Sequence, residues 1–246
     1  MSKSVPRKLE VLNSQYVTPH MLRITLGGEA FSDFPADQES GYVKFLFPQP
    51  EGRPLMRTYT VRNQRDDAID VDFAIHDAKG PASSWAVNAK VGDKILVGGP
   101  GPKRLIAQEA DWFLISGDMT ALPAISVNLL LLPKNAKGYI VIEVVDEADI
   151  QPLVHPENMT LLWVVKTPSG NAEVNPLLHQ IKALTPLEGR LSVWVACEFN
   201  IMRSIRKYLK NTFNLPKQNF YTSSYWKLGV SEDEHKIAKQ ADSKSP

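Results

Sequence analysis

The chain has 246 residues and a formal net charge of +1, so charge balance gives no support to a general polyanion-binding role, and no nucleic-acid partner is expected. One cysteine, Cys197, excludes an intramolecular disulfide framework, a multi-cysteine metal site and an iron–sulfur cluster held by the chain's own thiolates. Redox chemistry, if there is any, must rest on a bound organic cofactor. Met1 to Pro6 lack the apolar core of a signal peptide, and the longest apolar run, near Val127 to Leu132, is short and interrupted by Asn128. A cytoplasmic protein without membrane insertion is expected.

Up to about Lys103 the chain reads as strands. Leu9 and Val11, then Leu22, Ile24 and Leu26, then Val43, Phe45 and Phe47, then Tyr59 and Val61, then Ile69, Val71, Phe73 and Ile75 alternate with other residues. A last run, Ile95 to Val97, follows Val91-Gly92-Asp93. Turn residues separate these runs, which predicts a small antiparallel barrel.

Within it, Arg57-Thr58-Tyr59-Thr60 puts Arg57 and Tyr59 on one strand face and Thr60 on the other. A guanidinium fork suits a phosphate, and a tyrosine offers a flat face to a fused heterocycle. The same pattern also fits an exposed barrel strand. After Ile75-His76 comes Lys79-Gly80-Pro81-Ala82-Ser83-Ser84-Trp85-Ala86, a glycine with small and hydroxylated residues where a helix begins. Backbone N–H groups there reach a pyrophosphate. His76 either touches the ring or ends the strand, and Trp85 reads as packing.

Gly98-Gly99-Pro100-Gly101-Pro102 reads as an interdomain linker. Beyond it, strands (Trp112 to Ile115, Tyr139 to Val145, Leu161 to Val165, Val193 to Ala196) alternate with helices (Leu122 to Leu132, Val174 to Leu184, Ile201 to Phe213). That order predicts a parallel α/β sheet. Its first strand runs into Ser116-Gly117-Asp118-Met119-Thr120-Ala121, the position where such sheets bind nucleotides; Thr120 is alternatively a plain N-cap. Trp194 to Glu198 ends a neighbouring strand facing the same crevice. Cys197 has no histidine close in sequence and reads as inert. Glu143 and Asp146, around the third strand end of this half, offer no cation to a ribose 2′-phosphate, and Lys166 is a possible one; the balance leans towards NADH. Ser231 with Glu234 forms a capping-box pattern for a short terminal helix, and Ala241 to Pro246 read as disordered.

These motifs, with Tyr225-Trp226-Lys227-Leu228-Gly229, occur in an order that closely resembles the siderophore-interacting proteins, ferric-siderophore reductases of the ferredoxin–NADP reductase superfamily. The likeness runs from about Arg7 to Gly229. It implies an FAD-binding Greek-key barrel over residues 1–106, an NAD(P)H-binding α/β domain over 107–230, and a tail over 231–246. The implied cofactor set is Arg57, Thr58, Tyr59, Thr60, Asp72, His76, Gly80, Ala82, Ser83, Ser84, Gly117, Asp118, Thr120, Ala121 and Glu198. The implied substrate set is Lys44, Lys227 and Arg104, a basic patch for a ferric siderophore of catecholate or hydroxamate type. No side chain is expected to act as acid or nucleophile, and a monomer is expected. Where the family usually carries Gly-Asp-Glu-Thr, this chain has Met119. Competing expectations are a flavin or ferredoxin reductase with another acceptor, and a siderophore-binding protein without turnover.

Overall fold

The structure is a computed structural model that describes residues 5–75, 80–166 and 175–243. The chain divides into two compact units, Met1–Arg104 and Leu105–Pro246.

The first unit contains β1 (Arg7–Thr18), β2 (Met21–Gly27), β3 (Tyr42–Phe47), β4 (Leu55–Gln64), β5 (Ala68–Ala74), α1 (Pro81–Asn88) and β6 (Lys94–Gly101). The strands close an antiparallel barrel in the order β1-β2-β5-β4-β3-β6. Its interior is the set that the alternation predicts: Leu9, Val11, Ile24, Leu26, Val43, Phe45, Val61, Ile69, Val71 and Phe73 are all fully buried. Register explains why they meet, since Ile24 lies opposite Val71 and Leu26 opposite Ile69. Each such burial contributes about 1.5–3 kcal/mol. Trp85 of α1 packs its ring at 5.6 and 5.9 Å from Phe45 and Phe73, so it is a packing residue that seats the helix on the barrel.

Gly98 to Gly101 are not a linker. They are the end of β6 and pair with β3, Gly98 opposite Lys44 and Gly101 opposite Tyr42. A Cβ on Gly101 would fall on the Tyr42 ring, so the glycine marks a strand over which a side chain lies flat.

The second unit contains β7 (Trp112–Asp118), α2 (Leu122–Leu131), β8 (Gly138–Val144), β9 (Met159–Val165), α3 (Pro176–Ala183), β10 (Leu191–Glu198), α4 (Phe199–Thr212), β11 (Phe220–Trp226) and α5 (Glu232–Ser243). Its sheet runs β11-β10-β7-β8-β9 with every pairing parallel. All residues of β7 and β10 are buried, as central strands covered on both faces require. Asn128, the polar residue inside apolar α2, accepts from the Ile106 N–H at 2.7 Å and donates to Ala124 O, which satisfies it in the core.

Two elements depart from expectation. β11 is an additional strand; its sequence, FYTSSYW, carries no alternation that marks one. The helix α5 extends to Ser243, so Ala241 to Ser243 are helical rather than disordered. The capping box at its start is formed: Ser231 N–H and Oγ donate to Glu234 Oε2, and Ser231 Oγ accepts from Glu234 N–H. Near its end, Asp242 accepts from Arg206 at 2.7 Å and faces Arg203 at 3.0 Å.

Candidate cofactor and substrate sites

In the barrel, Tyr59 lies opposite Val43 and Arg57 opposite Phe45, which sets both on the inward side of β4. The Tyr59 ring is half-buried, 4.2 Å from Phe73 and 5.4 Å edge-on to Phe45. Arg57 donates to Met56 O and makes no ion pair among the described residues. Thr58 and Thr60 take the outward side, where Thr58 Oγ1 accepts from Lys44 Nζ at 2.9 Å. Asp72 is also outward and is held bidentately by Arg23 at 2.6 and 2.8 Å, a commitment to the barrel wall. Beside that pair sits Arg62, whose guanidinium is drawn below its ordinary value, first by burial; among the described residues it makes no hydrogen bond.

The helix α1 begins with Gly80 at the N-cap and Pro81 at the first position, and no side chain caps it. Ala82 is buried against the barrel, so only its backbone is available to a ligand; Ser84 is exposed, and Ser83 Oγ donates to Gly80 O at 3.3 Å. An uncapped helix start, an arginine without a carboxylate and a half-exposed aromatic ring in one barrel suit a flavin dinucleotide. When bound, FAD supplies hydride acceptance and single-electron release. His76 lies outside the described residues.

In the second unit the strand ends converge on Asp118. Its Oδ1 accepts from Thr120 N–H and Oγ1, and its Oδ2 from Glu198 N–H at 3.0 Å and Trp226 Nε1 at 2.8 Å. Burial raises this carboxyl above its ordinary value, and the hydrogen bonds pull the other way. Thr120 is therefore spent on Asp118 and is not the N-cap. That position is Ala121, and no side chain caps α2 either. Gly117 has a packing reason to be glycine, since a Cβ would meet Ala196 O and sit 2.8 Å from Ala121 Cβ.

Glu198 is the N-cap of α4: its Oε2 accepts from the N–H groups of Asn200 and Ile201, and its Oε1 accepts from Leu228 N–H at 3.2 Å. Glu143, opposite Asp118 in the register, accepts from Asn175 at 3.1 Å; burial and then Asp118 raise its carboxyl. Lys166 is the cation that counters Glu143, and its Nζ lies 5.7 Å from the Trp226 ring. Cys197 is fully buried, and burial pushes its thiol well up, the behaviour of an inert cysteine. Met119 is buried at a turn adjoining these carboxylates, where an acidic side chain would add like charge.

Each candidate substrate lysine, one in each unit, lies over an aromatic ring. Lys44 Nζ lies 5.6 Å from the Tyr42 ring centre, and Lys227 Nζ 4.8 Å from that of Phe199. Neither makes an ion pair among the described residues. Arg104 is exposed. Trp226, Arg62 and Phe199 are functional candidates that sequence reading leaves without a role. For Trp226 a signal was available, its place beside Lys227 in a quoted motif.

The family described as siderophore-interacting protein matches residues 110–229, and its siderophore-interacting FAD-binding domain matches residues 10–54 and 49–104. Ferric vibriobactin reductase ViuB of Vibrio cholerae is 34% identical over 93% of this chain and 92% of that protein. A ferric acinetobactin reductase of Acinetobacter baumannii is 31% identical over 75% of this chain and 65% of its own length. The crystal structure of the siderophore-interacting protein SipS from Aeromonas hydrophila superposes with a TM-score of 0.87 at 33% identity, covering 98% of this chain and 99% of that one. A barrel suited to a flavin, a separate parallel sheet, and end-to-end relatives agree: the chain belongs to the siderophore-interacting protein family, with an FAD-binding first domain.

Proposed function

We propose that this FAD-dependent oxidoreductase is a ferric-siderophore reductase that takes electrons from NADH and delivers them to Fe(III) held by a catecholate or hydroxamate siderophore. Hard oxygen ligands hold Fe(II) far less tightly than Fe(III), so one-electron reduction is a release step. The iron is substrate and needs no protein ligands. The names of the vibriobactin and acinetobactin reductases support the acceptor class. The observation that carries the reading in this chain is the pair of lysines, Lys44 and Lys227, each laid on an aromatic face with no carboxylate partner among the described residues. Such charges are available to an anionic complex.

The chain's own work is positional. Arg57 and the start of α1 hold the diphosphate, and Tyr59 orients the ring. The end of β7 and the start of α2 receive the donor. Preference for NADH follows from the buried Asp118, Glu143 and Glu198 at this edge, where Lys166 acts on Glu143; a 2′-phosphate would want more basic partners. No helix among the described residues is long and apolar enough to cross a membrane, and the reading places the protein in the cytoplasm as a monomer. Lys44→Ala combined with Lys227→Ala is expected to weaken ferric-siderophore binding while FAD content stays at one per chain. Unaltered siderophore affinity in the double variant would remove the acceptor assignment.

A further inference from the structure

We infer that Phe199 and His235 are positioning residues for Lys227, and that the C-terminal helix α5 thereby takes part in recognising an anionic acceptor. The inference rests on the reading of Lys227 as an acceptor contact and adds the residues that hold it there.

Phe199 is the first residue of α4, and its ring is 5% exposed. Glu198 fixes both sides of the contact: one oxygen caps α4 beneath Phe199, and the other binds the N–H of Leu228, the neighbour of Lys227. The ring and the lysine backbone thus hang from one carboxylate. Two cations lie on this ring, Lys227 at 4.8 Å and Arg203 at 5.7 Å. Arg203 has a carboxylate partner, Asp242 at 3.0 Å, which it shares with Arg206. Lys227 has no counter-charge within contact among the described residues, so the cation nearer the ring is the one without a carboxylate partner.

His235 of α5 meets the same ring edge-on at 6.2 Å and 83°. It is itself fixed by a hydrogen bond between its Nε2 and Ser224 Oγ at 2.8 Å, and it is 6% exposed. The charged groups that face it are Lys239 from its own helix, Lys227 from beyond β11, and Glu198 from the end of β10. A neutral imidazole therefore buttresses the ring without adding a third cation. An ordinary surface lysine would have no such three-part support.

The test uses FAD-loaded protein titrated with an anionic ferric tris-catecholate and, separately, with an uncharged ferric trihydroxamate. Removing the ring face in Phe199→Leu should weaken the anionic complex roughly 3–30-fold, in line with a cation–π contact. The loss should match that of Lys227→Ala, with no further loss in the double variant, and Phe199→Tyr should restore it. His235→Ala should show the same anion-selective weakening. Equal losses for the uncharged complex would reduce Phe199 to a folding role and overturn the inference. Phe199→Leu at wild-type affinity while Lys227→Ala is weakened overturns the platform but leaves the acceptor reading. Lys227→Ala at wild-type affinity overturns both.

Discussion

Asp118 accepts from groups 80 and 108 residues further along the chain, Glu198 N–H and Trp226 Nε1, both at a single oxygen. Nothing in the local sequence announces those partners, and Gly117-Asp118 reads equally well as an open nucleotide turn. Turning one donor-accepting oxygen into an amide sets N–H against N–H. Asp118→Asn should therefore cost about 1–3 kcal/mol, seen as a lower urea midpoint at unchanged slope. Arg57 and Tyr59 are more legible, because the strand alternation that puts them on one face is local. Loss of one charge-assisted phosphate contact in Arg57→Ala should raise the FAD dissociation constant roughly 10–100-fold, measurable by flavin fluorescence on reconstitution. Glu143 carries a different signature. Burial and Asp118 raise its carboxyl, so the folded state keeps that proton above the ordinary value of 4.5, and stability is lost as pH rises through the window above it. Glu143→Gln keeps an acceptor for Asn175 and should abolish that loss. The variant is expected to show higher thermal stability than wild type at neutral pH.

The helix α5 is docked by polar contacts. His235 is its one buried residue, Ile237 is exposed, and the anchors are Asp242 with Arg203 and Arg206, Lys239 with Ser223 Oγ and Ser224 O, and His235 with Ser224. A helix held this way opens more easily than one seated on an apolar stripe. Burial, then Lys239, lowers the His235 pKa below its ordinary 6.5. The unfolded chain then binds the proton first, so docking stability is complete above 6.5 and is lost as pH falls from there towards the lowered value. Amide exchange confined to α5 should accelerate on acidification through this range, corrected for intrinsic rates, and His235→Asn should flatten the response. Asp242→Asn should loosen the same amides by about 0.5–1 kcal/mol at neutral pH. The capping pattern Ser231/Glu234 made the start of this helix readable, whereas its end depended on arginines in α4. β11 was not legible because its serines, threonine and aromatics follow neither period. The Gly/Pro run misled because a strand glycine under an aromatic ring looks, in sequence, like a linker glycine.

Across the whole chain, the change from alternating strands to strand–helix repeats was the clearest message, since period is a property of backbone geometry that packing only reinforces. It yields a closed barrel and a parallel sheet, each with its own core. The first unit is the FAD-binding domain; on the proposed reading, the second takes the donor, and lysines on aromatic platforms present charge to the acceptor. The most direct measurement is a single turnover without oxygen, in which FAD-loaded protein is reduced and mixed with a ferric siderophore and an Fe(II)-specific chelator. Reoxidation of the flavin with stoichiometric appearance of the Fe(II) chelate is the expected result. A flavin that stays reduced in the presence of the bound ferric complex would contradict the account.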